Sequence, residues 1–507
     1  MVASTGSAFF ASSDRHTGIG LAPHVRAVSY NETTERLCLK VSFGQDGALY
    51  DHITGWSDGR LVDLVASWVD RPGMAISAVC ERVAVICPEL KDAEVLQKAD
   101  SLLHELAKVQ ALCWWYRPRQ VDGDGDQATS TTLCHVEAGS RLYYSSLMVG
   151  SVPEKAQISR FAFVQREGGQ TVLENCELGV RLVLGPKGDG LLPHIFGDPH
   201  MKYDQTAEDD NRNSSYPGFW HFLWRFGFLQ IPDQDGFERQ SWEFHERLFH
   251  ARSRSFLDQR AIGGTYRFKD KVPPSPAIKP PMSSHKISLP RPDDGSTDDP
   301  AQTPRSLYEV MDARKSLREP GARPLKLADL GGFLWRTAGI RKIIKGGASQ
   351  DLLERPVPAG GAIHEIEIYL VINRCEGLKP GIYHYQGAEH ALYALPAREN
   401  IRKAMLGVAG GAAVLGEKLP DSLIVMASRM PRLGWKYQNL NYRLSLLNAG
   451  VMIEAFYLVA TEMGLSPCAT GSGDSALFAL ATGQSIEHET AIAEFILNGP
   501  PIKKSYH

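Results

Sequence analysis

The spacing of apolar and polar positions divides the chain into stretches of period two and stretches of helical period. Residues 25–30 and 36–43 alternate apolar and polar side chains around the polar 31–34, which predicts a β-hairpin. Residues 61–69 and 96–115 carry apolar side chains at helical spacing. A second hairpin is expected where 160–164 and 171–173 flank Arg166-Glu-Gly-Gly169, because paired glycines supply the positive φ of a tight turn. A strand follows over 180–184. Residues 217–229 hold Phe219, Trp220, Phe222, Trp224, Phe226 and Phe228 and read as a buried helix. Hairpin-then-helix thus occurs twice, at about 20–115 and 155–235, as a structural repetition without a detectable sequence repeat. A hairpin with short helices suits a small winged-helix-like module, or more simply a small α+β domain.

In the C-terminal part, 306–313 reads as a short amphipathic helix and 327–338 as a helix with Leu330, Leu334 and Trp335 at core spacing. Residues 365–373 alternate as a strand, 381–385 and 390–395 form an expected hairpin, and 422–428 is a further strand. Residues 442–464 are long, largely apolar and carry small residues at Ala449, Gly450, Ala455 and Ala460, as a buried core helix does. Helices and strands mixed without strict βαβ alternation predict an α+β fold. No GxGxxG follows a strand, so a Rossmann dinucleotide site is not signalled.

Composition narrows the class. A chain of 507 residues exceeds one core, so two to four domains are expected. With 43% hydrophobic and 22% charged residues it reads as an ordinary globular protein. A net charge of −3 argues against a nucleic-acid partner. No run of 18 apolar residues suggests a membrane span, and residues 1–20 lack the pattern of a signal peptide. The eight cysteines are scattered without a CxxC pair, which argues against a zinc site or a disulfide framework and for a reducing cytoplasm. Pro273, Pro274, Pro276, Pro280, Pro281, Pro290, Pro292, Pro300 and Pro304 suggest a semi-rigid linker. The expected organisation is a frayed tail over 1–20, a module over 21–154, a second over 155–250, a Pro-rich linker over 251–304 and a third domain over 305–507.

Candidate chemistry is concentrated in that third domain. Arg314-Lys-Ser-Leu-Arg318 places two planar cations and a hydroxyl on one face of a turn, an arrangement suited to a phosphate monoester. A basic cluster is also what an ordinary solvated face looks like. Elsewhere, residues 121–126 resemble a calcium loop but have no glutamate at the required offset and read as a solvated acidic loop. His245 and His250 are five apart and do not stack on one helix face, so no metal is expected.

The order of Arg314-Lys-Ser-Leu-Arg318, Pro358-Ala-Gly-Gly-Ala-Ile-His-Glu365, Gly381-Ile-Tyr-His-Tyr385, Lys436-Tyr437, the apolar stretch around 444–465 and Phe495-Ile-Leu-Asn-Gly-Pro500 resembles the nitroreductase-like FMN flavoproteins. Within them it is most similar to the azoline oxidases (SagB/ThcOx-type dehydrogenases), and among those to the cyanobactin oxidases. The likeness covers about 155–507 and is strongest from 305. The run 242–254 followed by Gly263-Gly-Thr-Tyr-Arg-Phe268 resembles the segment joining the N-terminal modules to the flavin domain.

The resemblance implies that Arg314, Ser316 and Arg318 hold the FMN phosphate and ribityl chain, and that Pro358, Ala359, Gly360 and Gly361 lie against the flavin ring. Glycine suits a backbone that approaches a flat ring. Ala359 stands where the family has serine. Thr470 and Gly471 are a further implied flavin contact, though this stretch also reads as the turn ending the preceding helix. Lys503 would add a phosphate contact. Lys436 and Tyr437 match the family's catalytic pair. Converting an azoline ring to an azole removes one proton and one hydride, so a base is needed beside the hydride acceptor. The partners implied are an azoline-containing precursor peptide gripped by strand addition, a second copy in a homodimer and a heterocyclase of the same pathway. An NAD(P)H-dependent nitro- or quinone reductase and a non-catalytic peptide-recruiting scaffold stand as alternatives.

Overall fold

The structure is a computed structural model. It describes residues 17–21, 25–31, 33, 35–42, 49–54, 56–68, 74–108, 112–116, 133–138, 152–186, 188–196, 218–232, 235–254, 261–292, 305–319, 321–346, 349–396, 398–415 and 418–501. The acidic stretch 121–126 and Lys503 lie outside them. The chain divides into two compact units, Met1–Ala261 and Ile262–His507.

The first unit is built on a seven-stranded sheet in the order Met74–Ala75, Thr17–Leu21, Leu112–Tyr116, Cys134–Ala138, Val180–Leu184, Gln170–Asn175 and Ala162–Glu167. A separate three-stranded sheet contains the first expected hairpin, Val25–Asn31 against Arg36–Ser42. The second hairpin forms as expected: Gly168 (φ 56°) and Gly169 (φ 84°) occupy its turn, where a side chain would be strained. Two expectations change. The helix expected over 96–115 ends at Lys108, and Leu112–Tyr116 is a strand. The aromatic Leu-Cys-Trp-Trp-Tyr run fits a central strand, where Trp114 is wholly buried. The boundary expected at 154/155 is bridged, because Cys134–Ala138 pairs in register with Val180–Leu184. Leu37, Trp68, Trp114, Phe222 and Phe226 then share one core, so the two hairpin-and-helix halves form one body.

The second unit is a seven-stranded antiparallel sheet in the order Lys286–Ser288, Ala391–Leu395, Gly381–Gln386, Ile366–Ile372, Ser422–Ser428, Thr490–Asn498 and Ser466–Thr470. Ile366–Ile372 lies at its centre and is buried at every position. Period two sorts its side chains. Ile366, Ile368, Leu370 and Ile372 join the core shared with the helices Leu327–Ala338 and Asn441–Glu462. Tyr369 and Val371 join that of Glu399–Ala412 and Ser475–Thr482. Asn441–Glu462 is the described helix long and apolar enough to cross a membrane by length and composition. Its buried residues, among them Asn448, Met452, Phe456 and Tyr457, pack inside this unit.

The Pro-rich stretch is not a free linker where it is described. Residues 262–292 belong to the second unit, and Lys286–Ser288 adds an edge strand to its sheet. The physical reason is that the backbone carbonyls of this irregular segment need partners once they are packed against the unit, and the unit's side chains supply them. Arg429 donates to the Pro276 carbonyl (2.9 Å), Arg432 to that of Ser275 (3.2 Å), and the His390 ring nitrogen lies 3.0 Å from that of Pro290. Lys279 is buried, with its amine 2.5 Å from the Tyr369 hydroxyl and ion-paired to Glu489.

Candidate active site

The helix Leu307–Ala313 opens with a capping box in which Ser306 and Glu309 satisfy each other's backbone N–H. It stops at Arg314 (φ −59°, ψ 126°), so the expected turn is not made and Arg314, Ser316 and Arg318 follow in an irregular segment. Tyr457 gathers this segment instead. The Arg314 guanidinium lies 5.3 Å from the centroid of its ring, and the Ser316 hydroxyl lies 2.7 Å from its oxygen. That oxygen also accepts the Ala469 N–H (2.8 Å), while the Leu317 N–H bonds the Pro467 carbonyl (2.8 Å). Arg314 and Ser316 are thereby tied to the strand Ser466–Thr470, which, in place of the expected helix-ending turn, carries Thr470 at its end with Gly471 just beyond. Arg318 faces Cys468, whose thiol is pushed up by burial and drawn back by that guanidinium. Neither arginine pairs with a carboxylate among the described residues. Two guanidiniums without a carboxylate partner among the described residues, with a hydroxyl between them, fit the phosphate of a flavin mononucleotide.

A second cluster forms around residues 358–361. Ala359 is extended (φ −145°, ψ 157°), and Gly361 (φ +61°), Ala362 (φ 56°) and His364 (φ 51°) are left-handed. Such a run persists only when its surroundings hold it. The Gly360 N–H donates to the Asn448 side-chain oxygen (3.0 Å). The amide nitrogen of Asn448 donates to both oxygens of buried Glu365 (3.0 and 3.1 Å), as does Ser445 to one of them (3.1 Å). His364 is held neutral, its pKa lowered to about 3 by burial and by Arg355 and Arg432. A Cβ at Gly361 would fall 2.6 Å from the Tyr437 hydroxyl and 2.9 Å from the Lys436 amine, so a side chain there would displace the ends of the pair.

Lys436 and Tyr437 leave the short helix Met430–Gly434. Its Arg432, wholly buried, donates to the carbonyls of Ile363, Asp351 and Ser275. The Lys436 amine lies 5.1 Å from the Tyr437 ring centroid and 5.7 Å from that of Tyr266. It has no hydrogen bond or ion pair among the described residues. Pro358, Ala359, Gly360, Gly361, Lys436 and Tyr437 are thus brought together.

The two clusters are not brought together within one chain. Asn448 serves one and Tyr457 the other; nine residues apart on a helix, they lie roughly 13 Å apart along the axis and on opposite sides of it. On the same helix Leu446, Leu447 and Val451 stay exposed, as do Leu307, Tyr308 and Met311 of the helix before Arg314.

Sequence reasoning missed Tyr266, Glu365, Asn448 and Tyr457, which hold the site but have no local signature. It also missed Glu494. One oxygen of this buried carboxyl has no hydrogen-bond partner among the described residues, and a Cβ at Gly473 would fall 2.7 Å from the other. Burial, reinforced by Asp474, raises its pKa to about 7.

Comparison with known proteins matches residues 156–257 to the model of the cyanobactin oxidase ThcOx and residues 311–492 to that of the nitroreductase family. A Methanocaldococcus jannaschii protein named as a nitroreductase, MJ1384, is 23% identical over 166 residues, which cover 33% of this chain and 78% of the relative. The Escherichia coli microcin B17-processing protein McbC is 30% identical over 118 residues, 22% of this chain and 42% of McbC. Among solved structures, a chain of the E. coli microcin synthetase McbBCD complex with truncated pro-MccB17 bound shares 19% identity and a TM-score of 0.30, with 50% of this chain and 91% of that chain covered. The two family matches show a nitroreductase-like, flavin-dependent oxidoreductase domain over residues 311–492, preceded over 156–257 by a segment like that of the cyanobactin oxidases.

Proposed function

We propose that the enzyme dehydrogenates thiazoline or oxazoline rings in a ribosomally made peptide to thiazoles or oxazoles. The observation that carries this reading is the Lys436 amine, held against the Gly361 loop beside Tyr437 and free of any carboxylate among the described residues. An amine so placed is the candidate base for the proton on the ring carbon next to the carbonyl. Tyr437 orients that amine through its ring and presents its hydroxyl to the same loop. Arg314, Ser316, Arg318, Thr470 and Gly471 would hold FMN at its phosphate and ribityl chain, with Pro358–Gly361 against its ring. When bound, that cofactor supplies the hydride acceptor, and oxygen removes the two electrons as hydrogen peroxide. The ring loses one proton and one hydride, two hydrogens in all.

A second copy completes the site in this reading. The exposed apolar side chains on the helices Leu307–Ala313 and Asn441–Glu462 suit a homodimer in which the Arg314 cluster of one chain serves the Lys436 cluster of the other. The precursor peptide and a heterocyclase of the same pathway are the further partners; the name of McbC, a microcin-processing protein, supports the peptide.

The test is the mass of a thiazoline-containing peptide before and after incubation with the flavin-loaded protein in air. Loss of two hydrogens with the natural chain and none with Lys436→Ala is the expected result. An unchanged peptide, with the flavin bleached rapidly by NADPH, would point to a reductase instead.

A further inference from the structure

The segment that opens the second unit runs directly over the Lys436–Tyr437 pair. Gly263 and Gln438 exchange two backbone hydrogen bonds (3.1 and 2.9 Å), and the Tyr266 N–H donates to the Lys436 carbonyl (3.1 Å). The Thr265 hydroxyl lies 3.1 Å from the Gln438 side-chain oxygen. Trp435 is held by the same segment, because its indole N–H donates to the Val272 carbonyl (2.7 Å).

To follow this path the chain takes left-handed backbone at Gly263 (φ +101°) and Tyr266 (φ 51°). Glycine accepts that readily, whereas tyrosine does so only when its surroundings impose it. The outcome is a particular placement of the Tyr266 ring. It stands edge-on to Trp435 (5.9 Å, 87°) with the Lys436 amine 5.7 Å from its centroid. The Tyr437 ring, at 5.1 Å, meets the same amine. Two aromatic faces therefore take the place that a carboxylate usually has beside a lysine.

We propose that Tyr266 is a positioning residue for Lys436, holding its amine against the Gly361 loop and shielding it from solvent. The inference rests on the reading of Lys436 as the base. As the amine takes a proton it becomes a cation, which the aromatic faces favour more weakly than a carboxylate salt bridge would.

The experiment uses the full-length, flavin-loaded protein with Tyr266→Ala and Tyr266→Phe and reads two quantities. The first, independent of peptide chemistry, is the rate at which sulfo-NHS acetate acetylates Lys436 relative to exposed Lys326, read by peptide mass spectrometry. Tyr266→Ala should raise that ratio about fivefold and Tyr266→Phe leave it unchanged, since the ring and not the hydroxyl meets the amine. The second is turnover of a thiazoline peptide. Tyr266→Ala should lower kcat about tenfold with KM nearly constant, Tyr266→Phe should restore it, and in a Lys436→Ala background Tyr266→Ala should cost nothing more.

An unchanged acetylation ratio in Tyr266→Ala overturns the proposal. So does an equal loss in both backgrounds, or a raised KM at constant kcat, which would make Tyr266 a peptide contact. If the natural chain turns over no azoline and Tyr266→Ala still unmasks Lys436, the contact stands and the reaction assigned to it falls.

Discussion

Lys279 and Lys436 each stand against a tyrosine in the second unit, and their surroundings differ in every other respect. Lys279 is buried, with its amine on the Tyr369 hydroxyl and the Glu489 carboxylate, while that hydroxyl also donates to Glu489 (2.6 Å). Burial and the adjacent Glu489 push the Tyr369 hydroxyl far above its usual range, so it stays protonated. Lys436 is half-exposed, meets only ring faces and lacks a carboxylate among the described residues. A buried amine with a carboxylate partner is fixed in charge and place. An amine held by aromatic rings remains open to proton exchange. The residue types are the same, and the counter-ion separates a structural lysine from a chemical one.

The contrast is sharpest for Lys436→Ala. Turnover of a thiazoline peptide should fall by about 10²–10⁴-fold, the usual contribution of a positioned base, while chemical denaturation shifts by less than about 0.5 kcal/mol. A stability loss on the scale of a buried ion pair would break the comparison. A second large effect concerns completeness, since Lys279 finds its partners within its own chain and Lys436 is proposed to work with Arg314 of another copy. Co-expressing Arg314→Ala and Lys436→Ala chains should restore roughly a quarter of the natural activity, as half of randomly formed dimers would hold one intact site. No recovery would place both clusters in the service of one chain.

Lys279→Met should do the reverse of Lys436→Ala. It strands the Glu489 carboxylate, costing about 3–5 kcal/mol in urea denaturation, with activity per folded molecule preserved. Glu494 stands between the two lysines, buried like Lys279 and short of a partner like Lys436. Its pKa rises on folding from 4.5 to about 7, so the uncharged form is the one the fold favours. Its own contribution to stability should be fully present below about pH 4.5 and be lost as pH rises towards and past 7, by on the order of 3 kcal/mol. Glu494→Gln should flatten that decline in a series of denaturation midpoints between pH 5 and 8. An unchanged slope would mean that the carboxyl finds a partner or water in solution.

Local periodicity made much of the second unit readable. The helix Leu327–Ala338 and the strand Ser422–Ser428 fall on their expected bounds, and Ile366–Ile372 within one residue of its own, because each buries a face whose period is written in consecutive residues. The reading failed where composition stood in for contacts. Prolines at 273–292 suggested a linker, and the buried arginines that bind its carbonyls lie some 150 residues later. Helical spacing through residue 115 was overridden by the centre of a sheet. The turn expected at 314–318 gave way to a segment gathered by Tyr457.

The chain's own pattern determined the α+β class, the order of the flavin-type motifs and the Lys436–Tyr437 pair, since each is carried by neighbouring residues of defined chemistry. Tertiary structure decided which lysine lacks a carboxylate among the described residues, that Gly361 meets the ends of Lys436 and Tyr437, and that Tyr266 packs against the Lys436 amine. It also set the two cofactor clusters on opposite sides of one helix. These are contacts between residues about 75 to 170 positions apart, and their energies depend on distance and burial that no local spacing encodes.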